Sequence, residues 1–326
     1  MRSYVAGTGS FAPEKVLTNA DLEKLVETND QWIVERTGIR ERHQIAPGEG
    51  TSDLAVRAAL RACEMAQVDP KDIEAIIVGT ITPDYPFPSC AAVIQGKLGN
   101  KKAFAFDLSA ACAGSIYAIT TGDRFVASGA VKNALVIGSD ALTRITDWTD
   151  RNTAVLFGDG AGAMVLKPTD DPKRGWGALK LHTDGSQVPI LFQPGGGSLE
   201  PISEKVVRER SQFIKMNGKE VFKFAVRALV ENSLEVLAAE GLKPDDVTYV
   251  IAHQANKRIL DATLDRLKIP ASKCWMNLEK YGNTSAASVP MTLDEANRAG
   301  WFKTGDVILT MAIGGGMAWG AGVLRW

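Results

Sequence analysis

Three short segments of the chain each set one reactive side chain among small residues: Ala110-Ala111-Cys112-Ala113-Gly114, His253-Gln254-Ala255-Asn256 and Gly282-Asn283-Thr284-Ser285-Ala286-Ala287-Ser288. They supply a thiol nucleophile, an imidazole and a carboxamide, a set suited to carbon–carbon bond formation from thioesters. Cys112 stands between an apolar strand pattern, Ala103 to Leu108, and a helical pattern through Ile116, Tyr117, Ile119, Phe125 and Val126. This predicts a helix N-terminus at the sulfur, where free N–H groups favour the thiolate and lower its pKa. Cys63, inside Leu60 to Met65, reads instead as a buried structural thiol, as does Cys274.

His253 ends the strand pattern Tyr249 to Ala252, the end at which α/β sheets deliver functional groups. His43, in a charged and solvated stretch, and His182, near a Gly-Ser turn, lack that setting. Asn283 serves equally as a helix N-cap or as a catalytic amide on local sequence alone. Internal symmetry places it close to the position that Cys112 holds in the first half, so that two helix starts face one cleft. Gly314-Gly315-Gly316 follows the apolar strand Val307 to Ala312. A glycine N–H there, with that of Cys112, makes an oxyanion hole. A phosphate loop is the rival reading, but no Gly-Lys-Ser/Thr ending follows.

The elements that must position these groups recur. Ala55 to Leu60 and Ala225 to Val230 both open amphipathic helices, each running to a Pro-Lys-Asp or Pro-Asp-Asp turn at Pro70 or Pro244. Short apolar strands follow at Ile73–Val78 and Val247–Ala252, then at Ala134–Ile137 and Val307–Ala312, then at Gly160–Leu166 and Gly320–Leu324. Strands alternating with helices in the same order twice predict a duplicated α/β architecture with two pseudo-symmetric halves. The polar, turn-forming stretch from Pro168 to Gly177 marks the boundary, giving an N-terminal half over 1–172 with Cys112 and a C-terminal half over 173–326 with His253 and Asn283. Within the loop 187–215, rich in glycine and charge, the irregular stretch from Pro194 to Lys215 reads as a mobile loop or flap.

Composition narrows the function classes. The 326 residues carry a formal net charge of −1, so no global field steers the chain to nucleic acid or to a membrane surface. The four cysteines form no Cys-x-x-Cys pair, which argues against a metal or disulfide framework and for reduced thiols in a cytoplasmic protein. The N-terminus lacks the apolar core of a signal peptide. Val307 to Leu324 has a single charge-free run, but its two glycine clusters favour two buried strands over a membrane helix.

These motifs resemble the thiolase superfamily of condensing enzymes, and within it the beta-ketoacyl-acyl-carrier-protein synthase III family. The resemblance covers nearly the whole chain. It rests on Gly7 to Ser10, Asp30 to Ile39 with its Trp-Ile-x-x-Arg-Thr-Gly-Ile string, the Cys112 segment, Phe157 to Gly162, His253 to Asn256, Gly282 to Ser288 and Gly314 to Gly316. It implies a thiolase-like five-layer αβαβα fold, usually a homodimer, with no permanently bound cofactor and no metal. It implies that Cys112 takes an acyl group from acyl-coenzyme A, and that malonyl-acyl carrier protein then loses carbon dioxide and attacks the Cys112 thioester. His253 and Asn283 are then donors to the enolate oxygen, and Cys112 with Gly315 forms the oxyanion hole. By the same resemblance Thr28, Trp32, Arg36, Arg151, Gly218 and Asn256 bind coenzyme A, with Trp32 and Arg151 enclosing the adenine. Phe87, Leu142, Phe157 and Ile313 line the acyl pocket, Phe87 by crossing to a partner subunit. Lys215, Lys219, Lys223, Lys257 and Arg258 form a basic patch for the carrier protein.

Other readings of the same trio are a Cys-His-Asn hydrolase, a related synthase condensing longer thioesters in secondary metabolism, and a binding protein without catalysis. A papain-like hydrolase shares the chain order, but its Cys-Gly-Ser-Cys-Trp segment is missing.

Overall fold

The computed structural model describes residues 1–326. Its first sheet contains β1 (Arg2–Phe11), β2 (Ala75–Gly79), β3 (Phe104–Leu108), β4 (Ala134–Ala141) and β5 (Asp159–Thr169), in the spatial order β1-β5-β4-β2-β3. The second contains β6 (Gly175–Thr183), β7 (Tyr249–Ala252), β8 (Val307–Gly314) and β9 (Ala318–Arg325), in the order β6-β9-β8-β7. In both, the first three strands pair antiparallel and the next pair is parallel. The counterpart of β3 in the second sheet is reduced to one bridge, Val250 to Cys274. The repeated apolar runs of the sequence fall on corresponding strands, and Val307 to Leu324 forms the two antiparallel strands β8 and β9. No helix is long and apolar enough to cross a membrane.

Of the helices, α1 (Asp30–Thr37) packs Ile33 into a small apolar cluster with Leu142 and Phe157; α2 (Thr51–Ala66) and α3 (Cys90–Lys97) cover the outer face of the first sheet. Next come α4 (Gly114–Ala127), then α5 (Gly218–Ala239) and α6 (Lys257–Leu267), which cover the outer face of the second sheet, and finally α7 (Ser288–Arg298). Both α4 and α7 lie between the sheets. Ile116, Ile119 and Val126 of α4 and Val289 and Leu293 of α7 share one apolar cluster with Ile77 and Val136 of the first sheet and Ile251 and Ile308 of the second. The order of layers is therefore αβαβα, the thiolase-like fold. Strands β2 and β4 are buried along their whole length, as expected where helices cover both faces. Each fully buried Ile or Leu contributes roughly 1.5–3 kcal/mol. That packing outweighs the helix-weakening Gly122 inside α4.

The two central helices start next to each other. A Cβ on Gly138 of β4 would lie 2.0 Å from the Ala286 carbonyl oxygen, so only glycine lets the start of α7 reach the first sheet. Each helix is entered through one 3-10 turn, Ala111–Ala113 or Ser285–Ala287, whose first residue is left-handed, with φ of 46° at Ala111 and 52° at Ser285. Such non-glycine residues store local strain, of order 1–3 kcal/mol each, which the surrounding packing must hold. The correspondence of these turns refines one expectation: Cys112 matches Ala286, so Asn283 stands close to the symmetry mate of the thiol, three positions before it.

The stretch 187–215 is more ordered than its composition implies. Leu191–Phe192 pairs with Lys215–Met216, a short helix spans Glu204–Glu209, and Arg210 grips the Asp147 carboxylate through Nε at 2.9 Å and Nη2 at 2.6 Å. This pairing across distant sequence is what a local reading misses. His43 is likewise not solvated: it is buried, with Nδ1 on the Pro13 carbonyl and its ring against Tyr281.

Candidate active site

Cys112 is 7 % exposed and lies at the junction of two cavities. The larger, about 720 Å³, is also lined by His253, Asn283, Phe157, Ile313 and Gly314, and it extends past Met216 and Phe222 to Gly218, Asn256, Arg36, Lys219 and Arg258. The smaller, about 390 Å³, is lined by Leu142, Phe157, Ile81, Ile145, Leu191 and Ile214 among others. Thiol, imidazole and amide therefore converge on one chamber, from both halves of the chain.

Each side chain is held by its backbone. Cys112 sits in the turn before α4. The Gly315 N–H, its own N–H and the Ser285 hydroxyl face its sulfur, and the same hydroxyl also lies beside the buried Asp140 carboxylate. His253 leaves the end of β7, with its N–H donating to the Met311 carbonyl at 2.8 Å. Its Nδ1 lies 2.6 Å from Ser288 Oγ at the start of α7. Asn283 bridges to Phe157 of the other half: its N–H donates to Leu156 O at 2.9 Å, and its carbonyl accepts from Gly158 N–H at 3.0 Å. The side-chain Oδ1 accepts the Ser285 N–H at 2.9 Å, which leaves the Nδ2 amide as the group available to the chamber.

Burial controls the protonation states. It pushes the Cys112 thiol up to about 12, outweighing the facing hydroxyl and N–H groups, while the buried Asp140 carboxylate adds to the rise. The expectation of a lowered thiol pKa is thereby corrected: the helix start is present, but the sulfur is too far from water for that partial charge to prevail. Burial also pushes the His253 imidazole down to about 3, so the ring is neutral near pH 7. A neutral ring can donate from only one nitrogen. The Nδ1 partner is Ser288 and not Asn283, unlike the His-to-orienter bond that a Cys-His-Asn hydrolase needs.

The other residues singled out in the sequence fall in several places. Arg36, Gly218 and Asn256 line the outer part of the larger cavity, and Asn256 Nδ2 donates to the Arg36 carbonyl at 3.1 Å. Trp32 and Arg151 come together, but they stack on each other, with the guanidinium carbon 4.7 Å from the ring centroid. Thr28 lines neither cavity; its hydroxyl is buried without a partner. Leu142 and Phe157 line the smaller cavity, whereas Ile313, at the end of β8 beside Gly314, faces the larger one. Phe87 lines neither cavity of its own chain and is 86 % exposed.

The basic residues are less uniform than a count implies. Lys215 lies 3.6 Å from Asp147, Lys223 2.9 Å from Glu220 and Lys257 2.6 Å from Asp261. Lys219 and Arg258, both on the cavity wall, have no carboxylate within ion-pair distance. Sequence reasoning gave no role to Ser285 and Ser288. Both lie inside the Gly282 to Ser288 motif, and only the turn geometry shows which hydroxyl meets which group.

Comparison with known proteins gives one answer. The family model described as 3-Oxoacyl-[acyl-carrier-protein (ACP)] synthase III matches residues 106–185, and its C-terminal companion matches residues 237–326. A relative from Desulfitobacterium hafniense (strain DSM 10664 / DCB-2), named Beta-ketoacyl-[acyl-carrier-protein] synthase III, is 51% identical over 99% of this chain and 97% of its own length. The crystal structure of 3-oxoacyl-[acyl-carrier-protein] synthase III from Aquifex aeolicus VF5 superposes with a TM-score of 0.92 at 45% identity, covering 99% of this chain and 100% of that one. The priming beta-ketosynthase of the R1128 polyketide pathway superposes with a TM-score of 0.92 at 35% identity, covering 99% of this chain and 96% of that one.

Proposed function

The chain belongs to the beta-ketoacyl-[acyl-carrier-protein] synthase III family, and from that premise we propose that it carries an acyl group from acyl-coenzyme A to Cys112 and condenses it with malonyl-acyl carrier protein, initiating fatty-acid synthesis. It is an acyltransferase of the condensing type. The observation that carries the mechanism is the single chamber shared by Cys112, His253 and Asn283.

In the first step Cys112 Sγ bonds to the acyl carbonyl carbon, the bond from that carbon to the coenzyme A sulfur breaks, and the thiol proton leaves with coenzyme A. Because burial holds the thiol protonated, this proton moves as the substrate arrives and not beforehand. The acyl chain takes the smaller cavity and the pantetheine arm the larger. The N–H groups of Cys112 and Gly315 receive the developing oxyanion. In the second step the malonyl carboxylate leaves as carbon dioxide, and its electron pair forms an enolate. His253 Nε2–H and Asn283 Nδ2–H donate to the enolate oxygen. Preorganised donors of this kind are each worth roughly 3–4 kcal/mol elsewhere. The enolate carbon attacks the Cys112 thioester, the tetrahedral intermediate expels the Cys112 thiolate, which takes a proton from water to restore the resting thiol, and 3-oxoacyl-acyl carrier protein is released.

On this reading acyl-coenzyme A is a substrate and no cofactor is retained. Residues 1–172 and 173–326 form the two halves. Arg36, Asn256 and Gly218 guide the pantetheine arm, Trp32 and Arg151 part to admit the adenine, and Thr28 belongs to the same coenzyme A-binding set. Lys219 and Arg258 are the members of the basic patch best placed for the carrier protein. Phe87 reaches a partner subunit in a homodimer, and the enzyme works in the cytoplasm. The likeness to the R1128 priming synthase supports a second reading, a related condensing synthase that serves a polyketide pathway. Incubation with radiolabelled acetyl-coenzyme A followed by peptide mass analysis tests the proposal. An acyl adduct confined to Cys112 and lost in Cys112→Ala supports it; an adduct elsewhere, or hydrolysis without an adduct, refutes it.

A further inference from the structure

We propose that Ser288 is a positioning residue: through the contact between its Oγ and His253 Nδ1 it holds the imidazole proton on Nε2, the nitrogen that serves the chamber. The inference rests on the reading of His253 as a hydrogen-bond donor to the enolate, and it assigns the group that makes the ring a donor.

Ser288 is 2 % exposed and His253 4 %, so neither polar group can turn to bulk water for a partner. Two groups lie within hydrogen-bond distance of Ser288 Oγ. One is His253 Nδ1 at 2.6 Å, and the other is the Gln254 N–H at 3.4 Å. The backbone N–H can only donate, so it occupies an acceptor site on the oxygen. If Nδ1 also carried a proton, the serine would accept twice and its own buried hydroxyl hydrogen would have no acceptor. An orphaned buried donor is costly, and one that points at Nδ1 is satisfied. Nδ1 is then the acceptor, and in a neutral ring the proton sits on Nε2. Nε2 has no partner within the chain, and the ring lines the larger cavity together with Cys112 and Asn283.

The surrounding bonds fix this geometry. Ser288 is the first residue of α7, and its carbonyl accepts the Thr292 hydroxyl at 2.6 Å. Gln254, next to His253, is itself clamped: Nε2 donates to Ala252 O at 3.0 Å, while Oε1 accepts Asn277 N–H at 3.2 Å and Leu278 N–H at 3.3 Å. The hydroxyl and the ring are thus held from α7 and from β7, and neither can rotate away at low cost. Removing the hydroxyl leaves Nδ1 without a donor and takes away the bond that holds the ring in the Nε2–H tautomer. The Nδ1–H form, which sets an acceptor nitrogen toward the enolate oxygen, then becomes accessible.

The test uses the full-length protein labelled with ¹⁵N-histidine. Only three histidines are present, so His253 is assigned by its loss in His253→Gln. The resting wild-type protein should show His253 as the Nε2–H tautomer. In Ser288→Ala the tautomers should mix, release of carbon dioxide from malonyl-acyl carrier protein should fall roughly tenfold or more, and acyl loading of Cys112 should stay within about twofold, which also reports an intact fold. Ser288→Thr, which keeps the hydroxyl, should restore the tautomer and most of the rate. A wild-type His253 protonated on Nδ1, or a Ser288→Ala protein still locked as Nε2–H, would overturn the assignment. If the tautomer scrambles in Ser288→Ala and carbon dioxide release is unchanged, the assignment stands and the enolate-donor reading of His253 falls.

Discussion

Gly314 approaches Cys112 so closely that a Cβ on it would stand 2.3 Å from the Cys112 amide nitrogen. The obstacle is backbone, so no rotamer change relieves it. Gly314→Ala must push the turn that carries the thiol away from β8 and misalign the N–H groups that face the sulfur. Overpacking of this kind costs about 1–3 kcal/mol. The expected result is a lower melting temperature together with acyl loading slowed by about tenfold or more, read by mass spectrometry. Unchanged loading would show that the contact does not position the nucleophile.

On the proposed coenzyme A reading, the stacked Trp32–Arg151 pair must open to accept an adenine, since the guanidinium now occupies the face of the ring. A desolvated cation–π contact is worth up to about 2 kcal/mol. Arg151→Ala should therefore raise KM for acetyl-coenzyme A by roughly 3- to 30-fold. Loading from acetyl-pantetheine, which lacks the adenine, should be unaffected. Equal losses with both donors would remove the pair from coenzyme recognition.

A thiol pushed up to about 12 by burial holds little thiolate at neutral pH. Below its pKa the thiolate fraction rises about tenfold per pH unit. Alkylation of Cys112 by iodoacetamide in the free enzyme, followed by peptide mass analysis, should climb steadily from pH 6 to 9. A plateau near neutrality would mean that the helix start has prevailed over burial.

His253 links stability to acid. In the unfolded chain its imidazole takes up a proton near the usual 6.5, whereas the native ring does so only near 3. The unfolded state therefore binds more protons between those values. Stability contributed by this residue is complete above pH 6.5 and is lost as the pH falls toward 3. Between pH 6.5 and 5 the loss from this residue should reach about 2 kcal/mol. Denaturant unfolding of wild type and of His253→Asn, compared at the two pH values, measures it; parallel losses would contradict the burial of a neutral ring.

Much of this was legible in the chain. Alternating apolar runs repeat in the same order, so the duplicated fold follows from periodicity and burial. Cys112, His253 and Asn283 stand out because each lies among small residues at the end of a strand or the start of a helix, which a local pattern records. What the sequence hid depends on contacts between distant segments. The equivalence of Ala286 with Cys112 appears only when the left-handed turns at Ala111 and Ser285 are compared. The Arg210–Asp147 pair orders a stretch that composition marks as loose. The depth of Cys112, which reverses the expected direction of its pKa, is a property of both sheets together.

The central claim, that one chamber runs both half-reactions, is tested by a single turnover. Enzyme preloaded with an acetyl group on Cys112 is mixed with malonyl-acyl carrier protein labelled with ¹³C at the free carboxyl. Wild type should release one labelled carbon dioxide per 3-oxobutanoyl-acyl carrier protein formed and per acyl group lost from Cys112, while His253→Ala and Asn283→Ala should stay loaded with carbon dioxide release slowed by about 10²-fold or more. Loss of the acyl group to water without a 3-oxoacyl product, or unslowed carbon dioxide release in both variants, would contradict the account.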